Sequence, residues 1–82
     1  MHENIVIIGN KPGFTLKIDD SCVVEKLIIT VRGTDNIITI GANTKLCNYI
    51  FVENGSQIEI GENVIFNGMT KIHANEGGKC QF

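Results

Sequence analysis

Ile38-Thr39-Ile40-Gly41-Ala42-Asn43 returns twenty residues later as Ile58-Glu59-Ile60-Gly61-Glu62-Asn63. Working outward, Leu16-Lys17-Ile18-Asp19 stands 22 residues before the first copy, and Cys80-Gln81-Phe82 begins 22 residues after Ile58. A unit of this size that recurs along a whole chain cannot bury its own apolar face, so it stacks on its neighbours. The repeat therefore predicts a solenoid before any single residue is assigned a role.

Inside each period the apolar positions step by six: Ile18, Val24, Thr30; Ile40, Leu46, Val52; Ile60, Phe66, Ile72. Two residues before each lies another uncharged residue, in the sets Leu16, Cys22, Ile28; Ile38, Thr44, Ile50; and Ile58, Val64, Thr70. Strand side chains alternate, so each pair points to one face and each period holds three short strands with two inward side chains apiece. The return to the next period takes ten, eight and ten residues, which places the longer loops on one edge. Counting back ten from Ile18 assigns Val6 and Ile8 to the inside of a preceding coil. The expected object is an all-β parallel β-helix of about three to four triangular coils, with three parallel sheets around an apolar prism and no long helix. It forms one domain over 1–82.

Composition agrees. Fourteen Ile, six Val and six Thr oppose helix, against only five Ala and Leu together, and nine Gly with nine Asn supply corners. Gly41-Ala42-Asn43, Gly61-Glu62-Asn63 and Asp19-Asp20-Ser21 read as short turns. Arg32-Gly33-Thr34-Asp35-Asn36, Asn54-Gly55-Ser56 and Asn75-Glu76-Gly77-Gly78 read as longer ones. A net charge of −2 gives no electrostatic footprint for nucleic acid or an anionic membrane. The start Met1-His2-Glu3-Asn4, followed by Ile5 to Ile8, is neither a signal peptide nor a membrane span, so the expectation is a cytoplasmic protein.

Cys22, Cys47 and Cys80 are odd in number and lack Cys-x-x-Cys spacing, which argues against a disulfide framework and against zinc. Cys22 and Cys80 fall on inward positions and read as small hydrophobes; Cys47 lies just outside Leu46. Asp19 and Asp20 are two corner carboxylates without further oxygen ligands, which makes turn formation the reading and leaves no metal site. Lys45, Lys71 and Lys79 do not form a run; contact with a phosphate is the functional reading and solvation the ordinary one. His73 follows the inward Ile72 and so points outward. It is the weak candidate for a catalytic base, with Glu76 to orient it, and otherwise a solvated imidazole at a loop edge. His2 is terminal.

The Ile-x-Ile-Gly-x-Asn pattern with six-residue steps resembles the hexapeptide-repeat acyltransferases over nearly the whole chain. The segments 36–43, 58–63 and 76–78 look most like the amino-terminal half of bacterial acetyltransferases that modify cell-surface polysaccharides. That resemblance implies a left-handed coil, acetyl-CoA as cofactor, a trimer, and general-base catalysis by a histidine on a coil edge. Residue spacing cannot report hand, and a right-handed β-helix is the structural alternative. In the subgroup the histidine belongs to a Ser-Asp-Ser-His segment after the next strand pair. No such segment occurs through Phe82, so the expectation is a truncated or minimal scaffold, inactive alone and without a bound cofactor.

A different expectation comes from the outward positions. Tyr49, Phe51, Val23, Ile29, Val31 and Ile65 flank inward residues and would leave apolar groups on the outer faces. The strand beginning at Cys80 would also leave an open coil end. Both features predict a homo-oligomer, either a trimer through the outer faces or an end-to-end dimer through Phe82, and give the alternative reading of a stand-alone, non-catalytic assembly or binding module.

Overall fold

A computed structural model describes residues 4–9, 13–75 and 77–81. Eight strands occur among them, and no helix: β1 (Ile5–Gly9), β2 (Thr15–Ile18), β3 (Val23–Arg32), β4 (Ile37–Ile40), β5 (Lys45–Glu53), β6 (Gln57–Ile60), β7 (Thr70–Ala74) and β8 (Lys79–Gln81). All pairings are parallel, in two sheets ordered β1-β3-β5-β7 and β2-β4-β6-β8. The chain is a parallel β-solenoid of about three turns, as the repeat predicts.

Three sides per coil are present, but not three sheets. The first side is β2, β4, β6 and β8. The second and third sides run on without a break inside β3 and again inside β5, because their nine or ten residues are rich in β-branched and aromatic side chains with no Gly or Pro between. In the third coil the second side shrinks to a single bridge, Lys45 with Ile65.

The register of β3 corrects the inward assignments of the first coil. Val24 pairs with Leu46, but Lys26 pairs with Cys47, so Glu25 is a bulge residue without a partner position. One extra residue reverses every side chain beyond it. Leu27, Ile29 and Val31 are fully buried, whereas Ile28 and Thr30 look outward. In β1, Ile5 and Ile7 consequently sit beneath Leu27 and Ile29, and Val6 and Ile8 are each 51% exposed. The expectations that Val6, Ile8, Ile28 and Thr30 point in, and that Ile29 and Val31 point out, are therefore reversed.

The third coil departs differently. Lys45 to Asn48 is matched by Ile65 to Thr70, two residues longer, which opens a second loop over 66–69. Parity survives an even insertion: Ile72 stays inside, but it pairs with Ile50, and Ala74 takes the place beneath which Val52 sits.

The core holds Ile38, Ile40, Ile58 and Ile60 from the first side against Leu46, Ile50, Val52 and Ile72. Ile18, Val24 and Phe66 pack on it half-buried. Buried polar side chains at the corners are hydrogen-bonded from coil to coil. Thr44 Oγ1 donates to Gly61 O at 2.9 Å and Cys22 Sγ to Gly41 O at 3.0 Å. Asn36 donates through Nδ2 to Arg32 O at 2.9 Å and accepts from Ser56 N–H at 3.0 Å. Asn43 and Asn63 turn their corners with φ near 60°, a conformation that asparagine tolerates.

Candidate functional site

The third side carries the densest collection of chemically capable side chains. Along its outer surface, register places Ile28, Tyr49 and Lys71 in one column and Thr30, Phe51 and His73 in the next, with Arg32 and Glu53 paired one step beyond. Each is outward because its neighbour in the strand, Ile29, Ile50, Val52 or Ile72, is buried.

Phe51 and His73 are in ring contact, centroids 4.7 Å apart and planes tilted by 58°. The Arg32 guanidinium lies 5.8 Å from the Phe51 ring centre, near the outer limit for a cation–π contact. Glu53 Oε1 is 3.4 Å from His73 Nε2. Tyr49, Phe51, Lys71, Ile72 and His73 line a groove of about 400 Å³. An imidazole with a carboxylate on one nitrogen and solvent at the other is the minimal arrangement for a general base.

The carboxylate beside His73 is thus Glu53, twenty residues back in sequence, which neighbour-based reading passes over; the coil period of 20 to 22 was the signal that could have found it. The expected partner Glu76 lies outside the described residues, as do His2 and Phe82.

Other expected residues disperse over the surface. Lys45 belongs to the second side, where Glu25 Oε1 is 2.8 Å from its ammonium, and the hydrogen bond with this carboxylate raises its pKa above 10.5. Lys79 belongs to the first side, 3.4 Å from Glu59. Lys71 is on the third, so the three lysines do not converge. Glu59 also accepts a hydrogen bond from Gln81 Nε2 at 2.9 Å; this bond first, and Lys79 second, hold its carboxyl below 4.5. Glu59 and Gln81 with Thr39, Gly41 and Gly61 line a second groove of about 390 Å³.

Asp19 is a turn former: its Oδ1 accepts from Ser21 N–H at 2.9 Å and from Ser21 Oγ at 2.6 Å. The three cysteines are free thiols, Cys22 buried and Cys47 and Cys80 half-buried. Among the described residues there is no group of three or more His, Cys, Asp and Glu that could hold a metal ion, and no helix long and apolar enough to cross a membrane.

Val23 and Ile65 stand at 59% and 64% exposure on the second side, as the outward positions predict. On the third side Val6 and Ile8 extend the Tyr49 and Phe51 columns downward, so apolar groups run across β1, β3 and β5. Comparison with family models, with curated proteins and with solved structures gives no match to this chain.

Proposed function

We propose that this chain is a non-catalytic β-helix scaffold that self-associates through the outer surface of its third side. By its sequence resemblance it corresponds to the amino-terminal part of an acetyltransferase acting on cell-surface sugars. The observation that carries the reading is the set of outward apolar side chains Val6, Ile28 and Tyr49 in one column and Ile8 and Phe51, with Thr30 between them, in the next, which crosses three adjacent strands. A sheet face of that kind marks a contact surface. Three free thiols fit a reducing, cytoplasmic compartment. The resemblance favours a trimer.

Light scattering on the purified chain tests it. A mass above the 9.0 kDa of one copy, lowered by Tyr49→Asp, is expected. A stable monomer overturns it.

The His73–Glu53 pair favours one second reading, an acyltransferase in which His73 removes the proton of an acceptor hydroxyl. Thioester cleavage of acetyl-CoA in the presence of sugar acceptors, abolished by His73→Ala and reduced by Glu53→Gln, would establish that reading; no cleavage above background is the expected result.

A further inference from the structure

The outer surface of the third side carries charges as well as apolar groups, and the charges are not matched inside one copy. Register gives four outward columns across β3 and β5: Lys26 with Cys47, Ile28 with Tyr49, Thr30 with Phe51, and Arg32 with Glu53. Val6 and Lys71 extend the Tyr49 column, and Ile8 and His73 extend the Phe51 column. Glu53 turns to His73, with Oε1 3.4 Å from Nε2, and so does not serve its register partner. Arg32 lies against the Phe51 ring instead, and like Lys26 and Lys71 it has no carboxylate within 4 Å among the described residues.

We infer that two copies cover each other's third side about a two-fold axis that runs along the strands between β3 and β5, so that the solenoids lie antiparallel and Arg32 of each copy meets Glu53 of the other. The inference deepens the scaffold reading and rests on it. A sheet face is covered by one other such face, and two identical faces pack isologously, so the charges argue for two copies where the resemblance favours three. An axis parallel to the solenoid would reverse the order of the columns. It would set Lys26 against Arg32, and Lys71 against His73, of the second copy, bringing basic groups together. An axis along the strands keeps the columns and reverses the levels. Placed on β5 it would put Glu53 against Glu53, and placed on β3 Arg32 against Arg32. Between the two strands it puts Arg32 against Glu53, Ile28 against Tyr49, Thr30 against Phe51, Ile8 against His73, and Val6 against the aliphatic stem of Lys71. That placement alone gives Arg32 a carboxylate, and the length of its side chain spans the offset that an angle of about 30° between aligned sheets introduces. Four strands at about 4.8 Å and the seven residues from Lys26 to Arg32 at about 3.3 Å make a face of roughly 400 Å² per copy, less than the roughly 600 Å² per partner at the low end of stable interfaces. Concentration therefore decides how much dimer is populated.

Sedimentation equilibrium of the unmodified chain from low micromolar to near-millimolar concentration tests this. The expected result is a mass that levels off at twice the 9.0 kDa of one copy. Arg32→Glu and Glu53→Arg should each weaken association more than tenfold, because charges of one sign then face each other. Mixed in equal amounts, the two variants should reassemble as a heterodimer of the unmodified strength, since every contact is again an acid with a base. Damage confined to one copy's own fold is not repaired by mixing. A readout that needs no variant is isotope-filtered NMR, which should show contacts between the Ile8 methyls of one copy and the His73 ring of the other; within one copy three strand spacings hold these about 14 Å apart. An oligomer that Tyr49→Asp dissociates, but that holds three copies, or whose charge variants stay apart on mixing with no contact between Ile8 and His73, would overturn the antiparallel pair and leave the scaffold reading intact. A monomer at every concentration would remove both.

Discussion

Phe51 and His73 touch across one coil of the solenoid, ring centroids 4.7 Å apart, although 22 positions separate them in sequence. Such tilted ring pairs contribute about 0.5–1.5 kcal/mol beyond the area they bury. A double-mutant cycle with Phe51→Leu and His73→Leu, read by urea unfolding, should give a coupling energy in that range. A value of zero would mean the stack is incidental to the sheet.

Asn36 should be far less replaceable than its loop position suggests. It is fully buried, and its amide serves Arg32 O and Ser56 N–H together. Asn36→Ala strands both backbone groups, with a cost of about 2–4 kcal/mol. Chemical denaturation measures it, and a loss under 1 kcal/mol would show that water replaces the amide.

Two glycines should respond in opposite order to intuition. Gly68 has a positive φ of 78° but nothing within 4 Å of an added methyl, so Gly68→Ala costs about 1–2 kcal/mol of backbone strain. Gly41 has no such φ, yet its Cβ would lie 2.8–2.9 Å from the Gly61 carbonyl and the Glu62 nitrogen. Backbone cannot move aside without parting two coils, so Gly41→Ala should lower the melting temperature more than Gly68→Ala does.

Deleting Glu25 should be tolerated, since it removes the bulge and leaves Val24 and Lys26 on consecutive partners Leu46 and Cys47. The loss is its exposed pair with Lys45, which solvent and salt screen to little effect on stability. Deleting Thr30 instead would turn Val31 outward and abolish the cooperative transition. Circular dichroism melts of the two deletions distinguish these outcomes.

Glu59 supplies a pH dependence with a definite sign. Its carboxyl titrates below 4.5 when folded because of Gln81 and then Lys79. Its contribution is thus present above the unfolded value and is lost as pH falls through the lowered folded value. An NMR titration should show the Glu59 pKa rising toward 4.5 in Gln81→Leu, and the effect on stability should be small and salt-sensitive because the group is exposed.

The corners were legible in sequence because Gly41-Ala42-Asn43 and Gly61-Glu62-Asn63 combine a turn signal with flanking Ile-x-Ile, and only one register satisfies both. The first coil was not, because Leu27-Ile28-Ile29-Thr30-Val31 can be read inward on either parity; period two carries no information where both faces are apolar. The bulge at Glu25 decides the matter through backbone geometry that no residue type announces. Counting back from Ile18 then carried the error into Val6 and Ile8. Of the site, His73 is legible as an outward imidazole, but its carboxylate is not, because the neighbours of a stacked coil lie one full period away in sequence.

The corner bonds, Cys22 Sγ to Gly41 O and Thr44 Oγ1 to Gly61 O, are made between equivalent places on successive levels. Thr15, Ile37 and Gln57 likewise occupy interchangeable posts. Excising 37–56 would therefore join Asn36 to Gln57 without disturbing the path of either, whereas loss of a few residues within that span breaks it. Length in this molecule is quantised: lineages can gain or shed whole storeys by duplication or deletion of about twenty codons, and the same arithmetic makes it a ruler whose height an engineer can choose.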